Sequence, residues 1–401
     1  MNVLFLTISK IDNISSRGIY TDLMRKFRDE GHNVYIVTPY ERKYGLSTSF
    51  KEVDNVHILG VKTLNLQKTN IIEKGIGTIL LEKQFFNAIK KYLSEISFDL
   101  ILYSTPPITF TNIVKSFKKA NPQALSYLLL KDIFPQNAVD LGMFSKTSLF
   151  YNYFRKKEIE LYRNSDYIGC MSPANVKFVL EHNHFISSER VEVAPNSIEL
   201  LEETNVPDKN IIRKKYNVPT DKPVFIYGGN LGKPQGVDFL IKCLERNLTR
   251  NDLYFVIIGS GTEYTKIQNW FERVKPKNAI LLGFLPKNEY DSLVKACDVG
   301  LIFLDFRFTI PNFPSRLLSY LENKMPILAA TDVNTDIGKI AEENGFGYWC
   351  ESKSVDEFNL KIDLLMQSPL NIPLMGEKGY SFLKDNYLVK HTYHSILKHF
   401  N

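Results

Sequence analysis

Residues 3–8 read VLFLTI, a compact apolar run. Residues 17–30 follow with Ile19, Leu23 and Phe27 at helical spacing, and Gly31-His32-Asn33 breaks that helix before a second apolar run, VYIV, at 34–37. Strand, helix and strand in this order form a βαβ unit, which implies a parallel sheet with a right-handed crossover. Similar strands are predicted at 100–103, 125–130 and 167–170, with helices over 79–95 and 109–120. The pattern pauses over 189–219, where Pro195-Asn196, a polar run at 202–205, Pro207 and Pro219 fall. A second series then begins, with strands at 224–227, 254–258, 279–282, 299–303 and 327–330. Helices are predicted between them at 236–247, 264–274, 287–295 and 315–323.

The sequence therefore predicts an α/β protein of two facing, Rossmann-like, doubly wound domains with a ligand cleft between them. The expected divisions are 1–195, 196–375 and a helical segment, 376–401, that crosses back onto the first domain. A length of 401 residues agrees with two domains, or three at most. The hydrophobic fraction of 44% and charged fraction of 23% are those of a globular chain. The N-terminus is apolar without a preceding basic region and reads as a buried strand rather than a signal peptide. No apolar run reaches the 18 or so residues of a membrane span. The four cysteines, Cys170, Cys243, Cys297 and Cys350, form no CxxC pair, so free thiols and a cytoplasmic location are expected.

The net charge of +6 is uneven: 25 Lys+Arg against 20 Asp+Glu in residues 1–200 give +5, leaving +1 for the rest. Residues 113–163 hold nine Lys/Arg and four Asp/Glu, interleaved with Tyr151, Tyr153, Phe154 and Tyr162. This basic stretch suits an anionic membrane surface or an anionic lipid-linked substrate; the other reading is a solvated helix face.

The candidate chemistry lies at strand ends. Gly228-Gly229-Asn230-Leu231-Gly232-Lys233-Pro234-Gln235-Gly236 follows a buried strand and opens a helix. Its glycines let backbone approach a phosphate and Lys233 adds a charge, unless the loop is a plain tight turn. Gly259-Ser260-Gly261 is a partial dinucleotide fingerprint. Gly283-Phe284-Leu285-Pro286 offers backbone groups to a base edge or simply ends a strand. Pro314-Ser315-Arg316-Leu317 starts a helix that Ser315 can cap. A cation in that first turn is unfavourable without an anion, so Arg316 is a phosphate candidate. Ser319 and Glu322 follow on roughly the same face. In the first half, Arg17-Gly18 and Ser104 sit where such folds admit ligands. Asp132, directly after an apolar strand, is an acid/base or hydroxyl-binding candidate, or else a turn residue. No HExxH or acidic DxD loop supports a metal, and no Gly-x-Ser-x-Gly elbow supports a serine hydrolase.

These motifs resemble glycosyltransferase family 4, whose retaining enzymes have the GT-B fold. The shared residues are the Gly18 loop, Gly31-His32-Asn33-Val34, Pro195-Asn196-Ser197-Ile198, Gly229 to Gly236, Gly259-Ser260-Gly261, Leu282-Gly283-Phe284 and Pro326-Ile327. Ser104-Thr105-Pro106-Pro107, Asp132 to Pro135 and Pro314-Ser315-Arg316 are similar to a subgroup acting in O-antigen, capsule and colanic acid synthesis, some of whose members transfer N-acetylfucosamine-type sugars. The resemblance implies a UDP-sugar donor on the second domain, held by Gly229, Asn230, Lys233, Gln235, Gly259, Gly261, Pro314, Ser315, Arg316 and Leu317, with the Leu285 backbone at the uracil. It implies a polyprenyl-diphosphate-linked sugar acceptor at the inner face of the membrane, near Arg17, Gly18, Ser104 and Asp132, with neither metal nor nucleic acid. Two positions depart from the wider family: its phosphate-loop Arg and Lys are Asn230 and Gln235 here. Its Glu-x7-Glu pair falls on Pro311 and Ser319, which leaves the ribose contact to Ser319 or Glu322. The rival readings are a non-hydrolysing UDP-sugar 2-epimerase, a non-catalytic nucleotide-sugar-binding subunit and, more distantly, an NAD enzyme.

Overall fold

The computed structural model describes residues 1–66, 71–200, 208–368 and 370–400. The polar run at 202–205 and Pro207 lie outside the described residues. The chain forms two compact units, Met1–Glu199 with Val389–Asn401, and Leu200–Leu388.

The first unit is built on eight strands: β1 (Asn2–Leu6), β2 (Asn33–Glu41), β3 (Ser49–Val53), β4 (Val56–Thr63), β5 (Leu100–Ser104), β6 (Leu125–Leu130), β7 (Tyr167–Cys170) and β8 (Val191–Val193). Their order is β3-β4-β2-β1-β5-β6-β7-β8, and every pairing is parallel except β3 with β4. Strands β1, β5 and β6 are almost wholly buried, as a parallel sheet covered on both faces requires. The β3–β4 hairpin is an element the periodicity reading did not place. Its signal was Asp54-Asn55 between Val53 and Val56: both residues take positive φ, 53° and 58°, as a two-residue hairpin turn needs.

The second unit has β9 (Val224–Asn230), β10 (Tyr254–Ser260), β11 (Ala279–Leu282), β12 (Val299–Phe303), β13 (Ile327–Thr331) and β14 (Gly347–Glu351). The order is β11-β10-β9-β12-β13-β14, all parallel. Because β9 is central and the order reverses about it, the C-terminal ends of β9 and its neighbours border a topological switch point, where open α/β sheets bind ligands. Phe225, Tyr227, Phe255, Ile257, Leu301 and Phe303 fill the core under the helices.

The passage from one unit to the other falls at Glu199–Leu200, four residues past the pause read at Pro195-Asn196. The physical reason is that 196–199 are held by the first unit: Thr392 Oγ1 lies 2.9 Å from Ser197 Oγ, and Glu199 N donates to Asp22 Oδ2 at 3.1 Å. At the other end, the helical segment expected over 376–401 is two helices. Asn371–Asn386 stays with the second unit, where Phe382 packs on Phe346. Val389–Leu397 belongs to the first, placing Tyr393 and Ile396 in its core.

Candidate active site

In the second unit, strands β9 and β10 run in register so that Gly259 pairs with Gly229 and Ser260 with Asn230. A side-chain carbon on Gly259 would stand 1.8 Å from the Gly229 carbonyl oxygen, and one on Gly261 would stand 2.3 Å from that of Leu231. These two glycines let the two strand ends meet backbone to backbone. Leu231 N donates to Ser260 O and Glu263 N to Leu231 O, both at 2.9 Å, which closes the junction.

Asn230 and Gln235 pair with each other: Asn230 Nδ2 donates to Gln235 Oε1 at 2.8 Å, and Gly232 N reaches the same oxygen at 3.3 Å. Asn230 and Gln235 thus staple the loop. Lys233 is exposed on the short turn Lys233–Gln235, and Gly236 takes a left-handed φ of 56° at the head of helix Val237–Arg246.

Arg316 opens helix Arg316–Glu322 and lies against this loop, since a carbon on Gly229 would stand 3.2 Å from one of its terminal nitrogens. The Arg316 guanidinium lies over the Tyr227 ring, 4.3 Å from its centroid. Its Nη1 is buried and, among the described residues, has no hydrogen-bond partner. Burial works against its charge, but the hydroxyls of Tyr227, Tyr320 and Tyr290, with a side-chain hydrogen bond to Tyr227, outweigh it and hold the guanidinium above its ordinary value. Burial pushes the Tyr290 phenol up to about 12 and raises that of Tyr227, with Arg316 opposing both. A buried guanidinium nitrogen with no acceptor carries a desolvation penalty that an incoming anion would remove.

The remaining donor-side candidates lie after β11 and along helix Arg316–Glu322 and its approach. Leu285 is half-buried in the connection after β11. Pro314 and Ser315 precede the Arg316 helix, and Ser315 stands at the N-cap without the side-chain cap expected of it; its backbone is helical (φ −62°, ψ −17°). The Leu317 side chain is buried in the core. Ser319 is one turn from Arg316, whereas Glu322 is two turns on, about 9 Å along the axis.

In the first unit, β6 ends at Leu130 and delivers Lys131 and Asp132. Thr105 Oγ1 accepts from the amides of Lys131 (2.9 Å) and Asp132 (3.2 Å) and donates to the Asp132 carbonyl at 3.1 Å. The Asp132 carboxylate accepts from Asn137 Nδ2 at 2.8 and 2.9 Å, while Asn137 Oδ1 is buried without a partner. Lys131 Nζ donates to Ala194 O at 3.0 Å, and burial pushes its ammonium down to about 7. Neither Asn137 nor Lys131 stood out in the sequence, because nothing local distinguishes a pairing amide or a desolvated lysine. Ser104 is buried beside Thr105. Arg17 donates to the Glu199 carbonyl at 2.7 Å, and Gly18 is extended at φ 174°, with its N–H on Asp22 Oδ1 at 2.9 Å. Arg17 thus ties down the 196–199 segment. Among the described residues, no group of three His, Cys, Asp or Glu side chains is placed to hold a metal ion.

With this geometry in view, residues 208–381 match the family model of glycosyl transferases group 1. The chain is 26% identical over 269 residues to the probable glycosyltransferase WbjE of Pseudomonas aeruginosa, covering 65% of this chain and 64% of that one. It is 24% identical over 199 residues to the putative colanic acid biosynthesis glycosyl transferase WcaI of Escherichia coli K12, covering 48% and 47%. The match thus spans less than two thirds of either relative's length. The structure of Anabaena Alr3699/HepE in complex with UDP superposes with a TM-score of 0.70 at 14% identity, covering 100% of this chain and 99% of that one. The fold is GT-B, with two Rossmann-like α/β units in one chain.

Proposed function

We propose that this protein is a retaining glycosyltransferase of family 4 that moves a sugar from a UDP-sugar to a polyprenyl-diphosphate-linked acceptor in bacterial capsule or O-antigen synthesis. The observation that carries the reading is Arg316 Nη1, buried without an acceptor beside the Gly229 backbone. A diphosphate there supplies the missing acceptor and the missing negative charge. The relatives' printed roles in glycosyl transfer and colanic acid synthesis, and the UDP bound to the Anabaena protein, support the donor class and the pathway. An N-acetylated amino or deoxyamino sugar, such as N-acetylfucosamine, is the donor sugar that the sequence resemblance suggests.

In this reading, Arg316 and the exposed Lys233 stabilise the diphosphate leaving group as the bond between C1 and the phosphate oxygen breaks. The reaction is metal-independent, because fixed cations perform the charge neutralisation. The Gly229 and Asn230 backbone lies along the phosphates, the Leu285 backbone meets the uracil, and Ser319 is the nearer of the two ribose candidates. The acceptor hydroxyl attacks C1 on the face the phosphate leaves, and its proton passes to the departing phosphate. Asp132, held by Asn137, orients that hydroxyl. An acceptor anchored by polyprenyl puts the enzyme at the inner membrane face.

The test is a thermal-shift and turnover comparison of the protein with Arg316→Ala and Arg316→Lys. UDP at about a hundred times its dissociation constant adds roughly 2.7 kcal/mol of stability to the folded protein. Arg316→Ala is expected to remove that rise and lower kcat/KM by about a hundredfold or more, and Arg316→Lys to restore part of it. A UDP response equal to that of the unaltered protein in Arg316→Ala, or turnover that requires magnesium and stops with a chelator, would overturn the assignment.

A further inference from the structure

Helix Leu149–Asn164 begins in an unusual way. Ser148 Oγ caps it, accepting from Tyr151 N at 3.1 Å, so its first turn is fixed. Yet that turn presents Leu149 at 87% and Phe150 at 70% exposure. Tyr153, one turn on, and Met143, in the loop before, are exposed as well. Side chains of this size, clustered in water on a rigid helix end, mark an interaction surface rather than ordinary scatter.

Charge narrows what covers it. From Leu141 through Lys157 the chain has four cations and no carboxylate; Arg155 pairs with Glu158 and Lys157 with Glu160 on the same helix, which leaves Lys146 and Lys156 to face an anionic partner. Lys146 and Lys156 are both exposed. A second exposed apolar stripe, Ile76, Ile79 and Leu80, runs along helix Ile71–Tyr92. Glu82 of that helix accepts from Asn112 Nδ2 at 2.8 Å, at the head of helix Thr111–Ala120, which packs against helix Leu149–Asn164. The two stripes therefore sit on helices that share one packed layer.

The patch is also continuous with the proposed acceptor residue. Phe154, beneath the tip, packs edge-on against Phe134 with centroids 5.0 Å apart, and Phe144 of the loop packs on Phe134 at 6.4 Å. Phe134 is two residues from Asp132.

We propose that the tip formed by Met143, Leu149, Phe150 and Tyr153 inserts into an anionic lipid bilayer, with Lys146 and Lys156 on the headgroups. This rests on the lipid-linked acceptor reading above and gives it a location: the docked face leads through Phe134 to Asp132. Apolar insertion combined with basic residues is the usual basis of reversible interfacial binding.

The experiment is flotation of the full chain with vesicles of phosphatidylcholine alone or mixed with phosphatidylglycerol, at low and high salt. Binding is expected only to the phosphatidylglycerol vesicles, weakening with salt. Leu149→Ser with Phe150→Ser is expected to weaken it roughly tenfold or more, while Leu360→Ser, an exposed leucine of the second unit, leaves it unchanged. Lys146→Glu with Lys156→Glu should also weaken it. Binding that survives the Leu149/Phe150 change, no binding to phosphatidylglycerol vesicles, or a dimer in solution that Phe150→Ser dissociates would each overturn the proposal. The UDP thermal shift is measured on the same samples. A UDP response without vesicle binding removes only the membrane face, and vesicle binding without a UDP response removes only the donor reading.

Discussion

Asp332 shows what one buried group does to this protein. It follows β13 and is fully buried. Its Oδ1 accepts from the amides of Asn334 and Thr335, both at 2.9 Å, and its Oδ2 from the Thr335 hydroxyl at 2.8 Å. Burial outweighs these bonds and pushes the carboxyl up to about 6 from an ordinary 3.8. The unfolded chain releases this proton at lower pH than the folded one. Asp332 therefore costs stability progressively as pH rises from about 4 to about 6, with the full cost above pH 6 and none below pH 4. Asp332→Asn keeps the acceptor for both amides and removes the titration. It is expected to raise stability at pH 7 by on the order of 2–3 kcal/mol relative to its effect at pH 4. Urea melts at the two pH values check this; equal effects at both would refute it.

At the scale of elements, the glycine-rich loop and the end of β10 form one piece of construction. The sequence reading took Gly259-Ser260-Gly261 as a partial dinucleotide fingerprint. In the structure Gly259, at φ +153°, and Gly261 are also closely approached by the backbone of the neighbouring strand end. Gly259→Ala combines an overpacked contact with a strained φ and is expected to cost about 3 kcal/mol. It should also pull the Gly229 loop away from Arg316 and weaken UDP binding. Denaturant unfolding and a UDP titration check both; an alanine variant with wild-type stability would show that the two strand ends need no close approach. Local sequence disclosed that a loop with these glycines exists, since strand, glycine and helix follow one another in the chain. It did not disclose that Asn230 and Gln235 pair, because either side chain alone is equally suited to face solvent.

At the scale of the whole molecule, the chain leaves its first unit after Glu199 and returns to it at Val389. Helix Val389–Leu397 is held there by Ile396 in the core, by Tyr393 with its hydroxyl 2.9 Å from His32 Nε2, and by the ring of His399 stacked on Tyr167. Ile396→Ala is expected to cost about 2–5 kcal/mol, as large-to-small core changes do. The loss should fall on the first unit. Calorimetry in the presence and absence of UDP tests this: the transition that UDP raises should keep its position while the other moves down. A shift confined to the UDP-sensitive transition would contradict the assignment of this helix.

The sequence by itself determined the alternation of strand and helix, the two-unit α/β architecture, and the placing of Gly229, Gly259, Arg316 and Asp132 at strand or helix ends. Those features depend on period and on neighbours within a few residues, so they are written in order along the chain. Only the tertiary structure decided how closely the backbone approaches Gly259 and Gly261 and that Arg316 Nη1 is buried without an acceptor. Only it showed that Asn137 holds Asp132 and that the apolar tip at Leu149 and Phe150 stays uncovered. Each of these depends on which distant side chains arrive beside a group and which do not. Burial, pairing and exposure belong to that arrangement rather than to any residue's neighbours in sequence.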